Sequence, residues 1–155
     1  MQMNKDNNSP TRRAAWMALL AATSILGSFA LACAAPLAAL AAVAALRLGR
    51  RDAFILMVFT WLANQVIGYG FLDYPTTGDS FAWGATIGVA AMLATAAAMA
   101  TTQVTATRGA LVTALATLAA AFAVDQLALY AATAFLPSSD IAFSAPVVLQ
   151  ILQIN

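Results

Sequence analysis

Histidine and glutamate are absent from this 155-residue chain, and Cys33 is its only cysteine. Without an imidazole there is no base for a Ser-His-Asp or Cys-His nucleophilic unit, which removes most hydrolase chemistries. One thiol and six aspartates cannot supply the ligands of an ordinary Cys/His zinc site. A disulfide within the chain is impossible. Charge is equally scarce, at 8% of residues against ~25% in a typical soluble domain. The formal net charge is only +1, with no extended basic face, so nucleic-acid binding is not expected. No phosphate-binding glycine loop is present, so the chain does not hydrolyse nucleotides itself. These gaps point away from an enzyme, and no cofactor or metal is expected.

Apolar residues are what the chain has, at 63% and a mean hydropathy of +0.84. Too little polar surface remains to cover a globule in water, so a lipid bilayer is the expected solvent. The fold class that follows is all-α, a polytopic transmembrane bundle of about six short helices. A span needs ~20 apolar residues. Ala53–Leu72 and Phe81–Thr102 fit that length, and Gly109–Leu136 exceeds it. Ala14–Leu46 would reach about 50 Å as one helix, so it reads better as two short spans. The turn between them is placed near Cys33–Pro36, where proline removes a backbone donor. The final "IAFSAPVVLQILQIN" is short and broken by Pro146. It reads either as a sixth helix or as a helix lying in the interface. Residues 1–13 form a polar tail before a single bundle over 14–155. The alternative, a cleaved signal peptide ending near "ALACAAP", conflicts with an apolar run far longer than a signal core.

Charge placement orients the bundle, because lysine and arginine gather on the cytoplasmic side. With two spans in Ala14–Leu46, Lys5, Arg12, Arg13, Arg47, Arg50, Arg51 and Arg108 all fall on one face. Asp73, Asp79 and Asp140 fall on the other. The N-terminus is therefore expected inside, and the composition fits a bacterial inner membrane.

Small residues let membrane helices approach closely. Ala14/Ala18/Ala22, Ala30/Ala34/Ala38/Ala42 and Gly84/Gly88 form such rows. The threonines Thr95, Thr101, Thr102, Thr105, Thr113 and Thr117 are expected to bond back to their own helices.

An ionisable residue at membrane depth is costly, so it marks a site by default. Asp125 is that residue, with Gln126 beside it and Tyr130 one turn beyond. Asn64 and Gln65 lie inside another span, followed by Tyr69 and Asp73, and Trp83 opens the next. On the expected topology these eight residues share one outward-facing layer of apolar walls and placed polar groups, as a ligand pocket requires. Asp73–Ser80 would then be a lid. Each has a plainer reading. Asn64 and Gln65 serve equally as hydrogen-bonding glue between helices. Asp125 near the interface would simply be hydrated. Tyr69, Tyr74, Trp83 and Tyr130 suit an aromatic belt. Asp73–Ser80 suits an exposed turn, and Cys33 an ordinary small core residue rather than a thiolate ligand.

Taken together, the span count, the Ala14/Ala18/Ala22 row and the polar, aromatic mouth at Asn64–Gly84 resemble the substrate-binding components of energy-coupling-factor vitamin transporters. That resemblance implies six short helices, a vitamin or metal held near the outer face, and a partner docked on alanine rows of the first helices. A small transporter subunit that binds a solute is thus one expectation. The other is a structural or assembly subunit of a larger membrane complex, with other membrane subunits as partners and no ligand.

Overall fold

A computed structural model describes residues 10–11, 14–20, 22, 36–137 and 144–154. Among the described residues there are helices and no strand, as the composition predicts. Residues 14–20 belong to α1, followed by α2 (Leu37–Arg47), α3 (Arg50–Phe71), α4 (Gly78–Thr105), α5 (Ala110–Ala132) and α6 (Ala145–Ile154). The 22, 28 and 23 residues of α3, α4 and α5 give lengths of ~33–42 Å, enough for a ~30 Å hydrocarbon core. Among the described residues, these three are the helices long and apolar enough to cross a membrane. The 11 residues of α2 and the 10 of α6 reach only ~15 Å each. α6 carries half-buried Val147, Val148 and Ile151 on one stripe and exposed Gln150 and Gln153 elsewhere.

Local chemistry sets the ends. Pro36 precedes α2, where its missing N–H costs no helical bond. α3 stops because Asp73 takes a left-handed conformation, with φ 52°. The Leu72 N–H then bonds Ile67 O at 3.1 Å, and the Tyr74 N–H bonds Gly68 O at 3.1 Å. This is the wrap-back closure that usually employs glycine. Thr77 caps α4 by accepting from the Ser80 N–H at 3.3 Å. Gly109 turns the chain from α4 into α5 at φ 89°, a value natural only for glycine. Beyond Ala132 the chain leaves the helix in a turn, so α5 ends before the expected Leu136.

The pairings show that neighbouring long helices run antiparallel. Trp61 bonds Gly84, and Tyr69 bonds Ser80 further along the same two helices. Thr113 bonds Thr105 at one end of α4 and α5, while Trp83 bonds Pro137 at the other. Arg50, Arg51 and Arg108 therefore share one end of the bundle, and Asp73 and Asp79 share the opposite end. The guanidinium of Arg47 lies 6.0 Å from the Trp16 ring centroid. A continuous helix would separate those residues by ~46 Å, so the chain reverses between them, as two segments in Ala14–Leu46 require. The turn itself, with Cys33, lies outside the described residues, as do the tail through Ser9, with Lys5, and Arg12, Arg13 and Asp140.

The core is apolar, yet large apolar side chains also cover the outside and several polar groups are buried. The buried stripe of α5 is Thr113, Thr117, Ala121 and Asp125, every fourth residue and mostly polar. Its exposed face carries Leu111, Leu115 and Leu127. α3 likewise exposes Phe59, Val66 and Phe71 while burying Thr60. Such an arrangement is stable where the surrounding solvent is as apolar as the surface. The core joins Leu37, Leu40, Ala41 and Ala44 of α2 to Leu56 and Met57 of α3, Ala91, Ala94 and Ala98 of α4, and Ala121 of α5. α2 thus fills the space between the long helices toward their arginine-bearing end, and small side chains on α4 let it approach.

Candidate functional site

Two polar regions emerge, and they do not coincide. The first lies where α3 meets α4 near the aspartate-bearing end. Trp61, Gln65 and Tyr69 recur every fourth residue along α3 and face the Gly84/Gly88 row of α4. Trp61 Nε1 donates to Gly84 O at 2.8 Å. That carbonyl is reachable because residue 88 has no side chain to cover it; a Cβ there would meet Trp61 Nε1 at 2.8 Å. The space beside Gly84 is taken by Gln65 Oε1. The Tyr69 hydroxyl lies 3.0 Å from Ser80 Oγ. Its ring packs against Phe81 at 4.9 Å between centroids and edge-on to Tyr74 at 5.9 Å. Tyr74 in turn lies on Gly68, in space that a Cβ would fill.

The expected site residues in this region are therefore held by the fold. Tyr69 and Gln65 sit in the α3/α4 seam, half-buried Asn64 has a partner within the protein, and Asp73 shapes the turn. Trp83 Nε1 donates to Pro137 O at 2.8 Å, tying α4 to the chain after α5.

The second region surrounds Asp125 on α5. Asp125 is buried, at 9% exposure. Gln126 Nε2 donates to Asp125 Oδ2 at 3.3 Å. With the amide nitrogen committed to the carboxylate, the amide oxygen is buried and has no hydrogen-bond donor among the described residues. Two turns below on the same stripe, the Thr117 hydroxyl is also buried without a partner among the described residues, and so is that of Thr60 on α3. Other threonines behave as expected: Thr95, Thr101 and Thr105 donate to the carbonyl four residues back, and Thr102 to the one three back. Thr113 departs from that pattern and donates across the turn to Thr105 O at 2.7 Å. Tyr130 is exposed on the lipid-facing side of α5 and has a partner of its own.

Helix register separates the two regions. The α3/α4 pairing sets Asn64 opposite Ala85, while the α4/α5 pairing sets Asp125 opposite Ala94. Those positions are about nine residues apart on α4, or ~13 Å along its axis. Ala94 is close to the midpoint of Gly78–Thr105. The eight expected residues thus do not form one layer. Asn64, Gln65, Tyr69, Asp73 and Trp83 gather at the end of the bundle. Asp125 and Gln126 lie beside the middle of α4, because α4 extends well past the end that α5 defines. Sequence reading missed Trp61, Thr60 and Ser80. The four-residue spacing of Trp61, Gln65 and Tyr69 against Gly84/Gly88 was the available signal.

Among the described residues no cluster of three acidic, cysteine or histidine side chains is positioned to hold a metal. Comparison with known proteins gives no match: no family model fits the sequence, and no curated protein or solved structure is significantly similar to it.

Proposed function

We propose that this integral membrane protein is a small subunit of a transport system of the bacterial inner membrane, binding a small solute through Asp125 and Gln126. One observation carries the reading: a buried carboxylate on a helix long enough to span is bonded to an amide whose own oxygen lacks a donor among the described residues. Both groups are acceptors, so the complement they call for is a solute that donates hydrogen bonds or carries positive charge. A buried acceptor left unmet costs ~1–3 kcal/mol, more at membrane depth, which is the kind of cost that a binding site repays. Asp125 faces the interior of the bundle rather than lipid, which favours a solute over a side chain from a neighbouring subunit. The likeness to energy-coupling-factor substrate-binding components agrees with this size and helix count. With no nucleotide-binding loop of its own, the subunit would rely on partner proteins for energy. The arginine-bearing end, with the N-terminus, would face the cytoplasm.

The test is to purify the protein in mild detergent and identify bound small molecules and co-purifying subunits by mass spectrometry. A stoichiometric solute, retained by Asn64→Ala but lost from Asp125→Asn and Asp125→Ala, is the expected outcome. A tight protein partner with no solute, the assembly-subunit outcome, would overturn the reading.

A further inference from the structure

Asp125 is the only charged side chain that is buried among the described residues. Its partner there is the Gln126 amide, a neutral group. α5 packs on α4 and α2, and neither brings a counter-charge. α4 carries Asp79 alone, in its first turn, ~22 Å along the helix from Ala94, which stands opposite Asp125. α2 carries Arg47 alone, exposed in its last turn with its guanidinium over Trp16. On α3 the charged residues Arg50, Arg51 and Asp52 all lie in the first turn, and both arginines are exposed. Arg108 precedes α5 and is exposed, and so is Tyr130 near the end of that helix. The chain between α1 and α2 adds no cation, because residues 21–35 contain no lysine, arginine or histidine, and neither do residues 138–143. Pro10 and Ala14, which bracket Arg12 and Arg13, lie beside Arg51 and Asp52.

We propose that Asp125 holds a proton and a protonated amine in turn, so that each solute molecule bound displaces one proton. This rests on the reading of Asp125 and Gln126 as the solute site, and adds the charge and class of the solute. A buried carboxylate does not stand ionised without a positive partner, and none of the packed helices supplies one. The empty site is therefore neutral, with the proton on a carboxyl oxygen. An arriving cation replaces it: the O–H bond breaks, the proton leaves to water, and the carboxylate pairs with the incoming charge. A neutral hydrogen-bond donor brings no charge and leaves the proton in place. A bare metal ion is a poor fit, because it takes about six oxygens and this pair offers only carboxylate and amide oxygens. An ammonium group with two N–H bonds meets both acceptors, one at Asp125 and one at Gln126 Oε1, which has no donor among the described residues. The solute class is a primary or secondary amine in its protonated form.

The test titrates the full chain in mild detergent with propylammonium and benzylammonium, against benzyl alcohol and benzyltrimethylammonium as neutral and donor-free controls. Calorimetry in buffers of different ionisation enthalpy counts the protons released. At least one of the two amines is expected to bind with loss of one proton, and neither control to bind. Its apparent affinity should rise about tenfold per pH unit while the empty site holds its proton, then level off. Asp125→Asn should abolish binding and proton release together, and Asp125→Glu should keep both. An infrared band of a protonated carboxyl, missing from Asp125→Asn, should disappear as the amine binds. Failure of both amines, binding without proton release, or equal binding of either control would overturn the inference. A neutral solute recovered with wild type and lost from Asp125→Asn would also overturn it while leaving the solute site standing. A protein partner with no solute would remove both.

Discussion

Asp125 and Asp73 are the same residue type with opposite relations to the fold. Asp73 occupies a left-handed backbone position at the end of α3, where glycine is the usual residue. Replacing it with glycine should leave stability unchanged or raise it by up to ~1 kcal/mol, whereas Asp73→Val should cost ~1–2 kcal/mol. Thermal unfolding in detergent compares the two. A loss of solute binding in a well-folded Asp73→Gly variant would show that the carboxylate itself acts in binding. Asp125, by contrast, makes no contribution to chain reversal. Asp125→Asn keeps its shape and a partner for Gln126, so the variant should fold at least as well as wild type while losing the solute. A strongly destabilised Asp125→Asn would assign the carboxylate to structure. Gly109 offers a control at the other turn: at φ 89°, Gly109→Ala should destabilise by ~1 kcal/mol or more.

At the scale of helices, the α3/α4 seam rests on glycine facing a large side chain. Gly88→Ala places a methyl against the Trp61 ring, whose indole is fixed by its bond to Gly84 O. The ring must shift, with an expected cost of ~1–3 kcal/mol. Trp61→Phe alongside separates loss of the bond from overpacking, and the indole fluorescence maximum should move in Gly88→Ala. An unshifted spectrum and unchanged melting would mean that the seam is looser than described. This seam was half legible in the sequence. Gly84/Gly88 stood out as a close-packing row, yet in so alanine-rich a chain nothing announced that aromatic and amide side chains of α3 would fill it. Tyr69 and Gln65 looked equally suited to a ligand because polarity alone does not say whether a group is already bonded.

Across the whole molecule, the all-helical class and the three long spans followed from hydropathy, and the shared end of the described arginines Arg50, Arg51 and Arg108 from their spacing. Depth did not follow. Counting from each helix's own charged end put Asn64 and Asp125 at similar levels, but helices of unequal length are not aligned at their ends. Their register is set by pairings such as Thr113 with Thr105 and Trp83 with Pro137, which no single helix encodes. The position of Asp125 beside the middle of α4, apart from the aromatic region, is the central claim, and cysteine cross-linking tests it most directly. In a Cys33→Ala background, Asp125→Cys combined with Ala94→Cys should form a disulfide on mild oxidation in membranes. Asp125→Cys combined with Thr86→Cys, on α4 at about the level of Asn64, should not. Cross-linking of the second pair and not the first would return Asp125 to the outer layer and contradict the account.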